Sequence, residues 1–365
     1  MIFRLKKLAG QLAHPLLIKK KENLLYLTGR SFIHGYMLVK PRKDADSNAD
    51  KRGNPSVVFL GDGLERIDGI KSDFLKNVGS YIKPRETLEV FGEFTYAEVK
   101  YIKFKNPKLK IKVVIKHDPV DYLRMVKDAE EISRIRKSMQ IVGQVFGQVR
   151  REIKKPGMTE IRLANFIKTA GLKLGAEDIS FPPIVASGAN AAVPHHVPSN
   201  KRPKVGESII IDFGFKYKNY CSDFTRTIFI KKVPKRLEVA YNQVEKAYNQ
   251  SIKFIDDGLL ANGKKTVIKA VDVYQKAVDV LAEKHLDKYF IHSLGHGTGL
   301  EIHELPNLSP KSKDVLKDGM VFSIEPGVYI PRLGGIRIED LVYLKNGKME
   351  KFINVSTSLK NNIII

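Results

Sequence analysis

Across residues 127–153 the apolar side chains fall at Ile132, Ile135, Met139, Val142 and Phe146, steps of three and four that gather them on one helix face. Lys155-Pro156-Gly157 ends that helix, and Thr159 is placed to cap a second one through Ile161, Leu163, Phe166 and Ile167. Further helices are expected over 235–256 and 266–286. The apolar runs Ser208 to Phe213, Phe224 to Ile230, Val321 to Ile324 and Ile336 to Leu344 predict strands. The first third has a shorter rhythm. Asn23 to Leu27 leads into Thr28-Gly29, and Gly35 to Val39, Ser56 to Leu60, Leu88 to Phe91 and Lys112 to Ile115 predict short strands of a small α/β unit. The polar segment Lys43 to Asn54 is expected to be an exposed loop. The change of pattern after Asp121 divides the chain into domains 1–122 and 123–365.

The length of 365 residues, with 43% hydrophobic and 28% charged residues, fits two globular domains and excludes a disordered or fibrous chain. The single cysteine, Cys221, excludes an intrachain disulfide framework and fits a reducing compartment. The start, Met1-Ile2-Phe3-Arg4-Leu5-Lys6-Lys7, has no uninterrupted apolar core of the kind a secretory signal needs. The longest uncharged stretch, Ile179 to Asn200, holds four prolines and two histidines and is no membrane helix. A cytoplasmic protein with no membrane partner is expected.

A formal net charge of +23 invites a nucleic-acid reading. The surplus is spread along the chain, however, with +10 of it in residues 1–122, and the tightest runs are Lys19 to Lys21 and Lys103 to Lys116. No zinc-finger or RNA-recognition spacing accompanies them. A solvated lysine-rich surface is the expectation, and a nucleic-acid partner is not.

The second part contains an internal repeat. Gly206 stands six residues before Asp212, with Gly214 two after it; Gly319 stands six before Glu325, with Gly327 two after it. A second acid follows each, Asp223 eleven and Glu339 fourteen residues on. Two strand-turn-strand units related by a pseudo-twofold would each deliver two carboxylates. A strand interior is a costly place for a charge. The four acids could pair with Arg226 and Arg337, or they could share divalent cations, which hard carboxylate oxygens with one imidazole suit. That imidazole is His296, flanked by Gly295 and Gly297. His195, His196, His292 and His303 stand in loops that suit a cleft, whereas His117 and His285 are expected to be structural.

These segments resemble the metallopeptidases that include methionine aminopeptidase, prolidase, aminopeptidase P and creatinase, the pita-bread fold. The resemblance lies in Ile211-Asp212-Phe213-Gly214, Ser222 to Thr227, His292 to Glu304, Ile324-Glu325-Pro326-Gly327 and Gly335 to Asp340, in matching order across about residues 123–350. The prolidase and aminopeptidase P branch is nearest, and residues 1–122 are more loosely similar to a creatinase-type N-terminal domain. The resemblance implies an α+β fold with that smaller α/β domain ahead of the catalytic one. It implies two divalent ions, manganese or cobalt before zinc or iron. Asp212 would bind one, His296 and Glu325 the other, with Asp223 and Glu339 bridging. His195 and His303 match the family's two active-site histidines. A homodimer is implied as well.

The expected reaction is hydrolysis of an Xaa-Pro bond, first in dipeptides, with longer Xaa-Pro peptides as the alternative. Two cations would lower the pKa of a water; Glu325 would pass its proton to the leaving nitrogen, His303 would stabilise the oxyanion, and His195 would hold the substrate in line. The substrate's amino group would meet Asp212 or a metal. A binding protein that reuses the fold is the third reading, disfavoured because all five ligand positions are filled. Residues 1–122 argue against a methionine aminopeptidase, and the intact carboxylate set against creatinase chemistry.

Overall fold

The computed structural model describes residues 2–29, 35–39, 57–61, 78, 82, 87–91, 93–114, 119–260 and 267–364. The expected loop at Lys43 to Asn54, and with it Ser56, Ile115 and His117, lies outside the described residues. Internal packing divides the chain into Met1–Arg124 and Met125–Ile365.

In the first unit the described strands are β1 (Leu16–Ile18), β2 (Gly35–Val39), β3 (Val57–Gly61), β4 (Thr87–Phe91) and β5 (Lys110–Val114), ordered β3-β2-β1-β4-β5 in one sheet. β4 runs parallel to β1 and β5, whereas β1–β2 and β2–β3 are antiparallel. The described helices are α1 (Ile2–Ala9), α2 (Lys21–Thr28), α3 (Tyr96–Lys105) and α4 (Pro119–Arg124). The apolar run Asn23 to Leu27 therefore belongs to a helix, ended by Gly29 in the left-handed conformation (φ +74°). A core of Leu17, Leu38, Leu88, Val90, Phe94 and Ile102 holds this unit together.

The second unit starts with α5 (Ala129–Glu152), whose Asp128 and Glu131 form a reciprocal cap and whose buried face includes all five residues of the predicted stripe. In α6 (Glu160–Lys173) the Thr159 hydroxyl accepts from the Arg162 amide, as its position suggested. The strands that follow are β6 (Asp178–Ile179), β7 (Ile184–Ser187), β8 (Ser208–Asp212), β9 (Phe215–Tyr217), β10 (Tyr220–Cys221) and β11 (Phe224–Ile230). Two helices, α7 (Lys235–Leu260) and α8 (Ala270–Ala282), precede β12 (Gly295–Gly297), β13 (Glu304–Leu308), β14 (Val321–Ile324), β15 (Gly327–Ile330), β16 (Gly334–Arg337), β17 (Glu339–Lys345), β18 (Lys348–Lys351) and β19 (Ile363–Ile364).

Among the described residues nine strands form the main sheet, in the order β13-β12-β14-β17-β11-β8-β7 with β18 on β17 and β19 on β11. Its centre is the internal repeat. β8 pairs antiparallel with β11, β14 with β17, and the two pairs join through antiparallel β11 and β17. The glycine six residues before each first acid does the same backbone work: Gly206 (φ +83°) and Gly319 (φ +90°) both turn left-handed ahead of their strand. The single run read at Ile336 to Leu344 is two strands. Ile338 separates β16, which among the described residues pairs only with β15, from β17 in the main sheet, so the chain changes sheets within a continuous apolar stretch. A run of that kind carries no local mark of a strand exchange.

Candidate active site

Register brings the acids together. Thr225 pairs with Asp212 on one side and with Glu339 on the other, and directly opposed residues on antiparallel strands project to the same face. Asp223, two residues before Thr225, shares that face, and Glu325 follows Ile324 at the end of β14. His296 comes in on β12, which pairs with β14. Its Nε2 lies 3.5 Å from Asp223 Oδ2 and 3.4 Å from Glu325 Oε1. One donor atom each from Asp223, His296 and Glu339 lie within 4.8 Å of one another. All five residues open on a cavity of about 540 Å³, together with His195, His292, His303, Arg337 and an apolar wall of Phe181, Pro182, Pro183 and Ile184.

The two arginines separate cleanly. Arg337 donates to Asp212 Oδ2 at 2.6 Å. Arg226 is one residue from Thr225, so it projects to the opposite face, where it meets Asp340 at 2.6 Å and Tyr248 donates to the same carboxylate. Pairing with arginine therefore accounts for one acid of the four. Among the described residues, no lysine or arginine forms an ion pair with Asp223, Glu325 or Glu339. The other Asp212 oxygen, Oδ1, is buried without a hydrogen-bond partner.

Burial followed by mutual repulsion pushes Asp223 and Glu339 far above the ordinary carboxylate range. Burial raises Glu325 to about 8, offset in part by Arg337. Asp212 is raised by burial too, though Arg337 opposes it. Burial, with His303 nearby, lowers His296 to about 4, leaving a neutral imidazole. Buried carboxylates that repel each other, an orphaned oxygen and a neutral imidazole are a donor set suited to divalent cations.

Supporting side chains orient these groups. Thr225 donates to Glu339 Oε2 at 2.6 Å, and Ser323 to Glu325 Oε1 at 3.2 Å. Arg337 also donates to Tyr329 Oη at 2.7 Å, and that hydroxyl lies 2.8 Å from His292 Nε2. With Nδ1 of His292 on the Ser293 carbonyl, both its ring nitrogens are engaged, and burial holds it near 4. His303 is exposed at the cavity wall, edge-on to His296 with ring centroids 4.3 Å apart. Desolvation, then His195, lowers its pKa. His195 is exposed on the wall, while His196 turns to the buried carboxylate of Glu160 at 2.9 Å. Cys221 is buried and weakly bonded to the Leu300 carbonyl. Sequence reasoning missed Thr225, Ser323, Tyr329 and Glu160, because nothing local marks a side chain whose partner is distant.

The chain belongs to metallopeptidase family M24, which matches residues 133–346. It is therefore a hydrolase of the pita-bread class, with the α+β architecture described above. It is 33% identical over 345 residues to a putative Xaa-Pro aminopeptidase of Mycoplasma pneumoniae, covering 94% of this chain and 93% of the relative. A Xaa-Pro dipeptidase of Pyrococcus furiosus is 32% identical over 332 residues, 90% of each chain. A dipeptidase of Pyrococcus horikoshii superposes with a TM-score of 0.83 at 30% identity, covering 99% of this chain and all of that one (100%).

Proposed function

We propose that the chain hydrolyses the bond between an N-terminal residue and proline, in Xaa-Pro dipeptides first and in longer Xaa-Pro peptides as the alternative. The observation that carries this reading is the convergence of Asp212, Asp223, His296, Glu325 and Glu339 on one cavity, with Asp212 Oδ1 unpartnered. The names of the relatives above support the substrate class. In this reading Asp212, Asp223, His296, Glu325 and Glu339 would together hold two divalent ions, manganese or cobalt before zinc or iron. Such ions supply positive charge that acidifies a water and polarises the scissile carbonyl.

The protein's own groups do the rest. Glu325 accepts the proton of the attacking water at a carboxylate oxygen and delivers it to the proline nitrogen as the bond breaks. His303 donates to the carbonyl oxygen as negative charge develops there. His195 fixes the substrate against the attacking water. Arg337 holds Asp212, and Thr225 holds Glu339, so neither carboxylate is free to turn. The prolines of the cavity wall offer an apolar surface to the substrate ring. The five residues all fall within Met125–Ile365, which supports assigning catalysis to residues 123–365 and an accessory role to the creatinase-type domain, 1–122. A cytoplasmic homodimer completes the reading. Among the described residues no helix is long and apolar enough to cross a membrane.

The test compares Ala-Pro with Ala-Pro-Ala after loading with manganese or cobalt, alongside elemental analysis. Asp223→Asn and Glu339→Gln should lose bound metal and turnover together, whereas His303→Ala should lose turnover with metal content intact. Full activity in Asp223→Asn or Glu339→Gln refutes the site.

A further inference from the structure

Glu160, the first residue of α6, has a fully buried carboxylate that serves one loop. Its Oε1 accepts from the Ser187 amide at 2.8 Å, the Ser187 hydroxyl at 2.7 Å and the Asn190 amide at 3.1 Å. Its Oε2 accepts from the Ser199 hydroxyl at 2.7 Å, the Ser199 amide at 3.1 Å and Asn190 at 3.1 Å, and meets His196 Nε2 at 2.9 Å. The first turn of α6 adds backbone bonds, Glu160 N to the Lys201 carbonyl and Ile161 N to the Ser199 carbonyl, both 3.0 Å. These are amides that no helix can satisfy internally. One carboxylate and one helix end thus close the segment 187–201 at both ends and in the middle.

That segment carries His195. Among the described residues no protein group hydrogen-bonds the His195 ring, so its place at the cavity wall is inherited from the backbone that bears it. The backbone is in turn fixed by Glu160 and, at the Pro194 carbonyl, by Arg337 at 3.4 Å. Burial alone would raise the Glu160 pKa, but the donors from Ser199, Ser187 and His196 outweigh it and hold the group near 2, so the acceptor is fully ionised at neutral pH. Charge-assisted bonds of this kind are short and stiff.

We propose that Glu160 is a positioning residue that sets His195 against the substrate by clamping the loop 187–201. This rests on the role given to His195 above. The glutamine variant would keep one acceptor oxygen and leave either the Ser187 or the Ser199 amide without one, loosening the loop at one end.

The experiment is a double-mutant cycle in the metal-loaded protein, measuring kcat and KM on Ala-Pro, with hydrogen exchange of the 187–201 segment and metal content read in parallel. Glu160→Gln should lower kcat/KM by about 10- to 100-fold with two metals retained, a displacement effect. In a His195→Ala background the same change should cost less than about two-fold, because the two act through one contact. Exchange of 187–201 should accelerate in Glu160→Gln and not in His195→Ala. If Glu160→Gln lowers kcat/KM by the same factor in both backgrounds, Glu160 is only structural and the proposal falls. Unaltered exchange overturns the clamp itself, whereas full activity in His195→Ala overturns the role of His195 and leaves the clamp judged by exchange. Should Glu160→Gln not fold, Ser199→Ala enters the same cycle, expected to act in the same direction and more weakly.

Discussion

Removing divalent cations should make this protein less stable as the pH rises from 6.5 to 8. The reason is Glu325, whose ordinary value of 4.5 is pushed to about 8 by burial. A folded-state pKa above the unfolded one means that the native chain keeps a proton the unfolded chain releases, so the stability this group contributes is complete below pH 4.5 and is lost as the pH rises to about 8. One retained proton is worth about 1.4 kcal/mol per pH unit, hence about 2 kcal/mol between pH 6.5 and 8. Asp223 and Glu339, raised in the same sense, add to the fall. Below 6.5 a second trend opposes it. His292 and His296, lowered to about 4, lend stability that is complete above 6.5 and lost as the pH drops toward 4. The window above 6.5 therefore isolates the carboxylates. The assay is urea unfolding of chelated protein at pH 6.5, 7, 7.5 and 8, repeated in Glu325→Gln, where the slope should lessen by about one proton. Adding a divalent ion at about 100 times its dissociation constant should restore about 2.7 kcal/mol. A chelated protein whose unfolding free energy is flat or rising over that window would refute the argument that buried, mutually repelling carboxylates await a cation.

Three further outcomes follow from the packing. In Gly214→Ala the new Cβ would stand 1.8 Å from the Ser222 carbonyl oxygen, so backbone must move, and a loss of about 3 kcal/mol or failure to fold is expected in urea titration. Lys127→Met leaves Glu304 buried without the lysine that meets it at 3.1 Å; the single change should cost about 3–5 kcal/mol, and Lys127→Met with Glu304→Gln should recover part of it. Thr159→Ala removes the hydroxyl that caps α6 and should lower stability by about 1 kcal/mol, read as a shift in thermal midpoint.

The short-range features of this fold were legible from residue order. The helix face of α5, the cap at Thr159, the strands Phe224–Ile230 and Val321–Ile324 and the repeated glycine-to-acid spacing are all set by periods of 3.6 or 2 and by turn chemistry, which act between neighbours. Candidate chemistry was legible for the same reason, since charges in apolar strands are conspicuous wherever they fold. Partner choice was not. Arg226 and Arg337 looked equivalent along the chain, yet strand alternation sends Arg226 to Asp340 and Arg337 to Asp212. The break at Ile338 likewise depends on which strands pair, and the grip of Glu160 on a serine 39 residues away depends on where the start of α6 meets the loop. Side-chain identity and spacing act locally, whereas strand register joins residues more than a hundred positions apart, and only the closed sheet decides which faces meet.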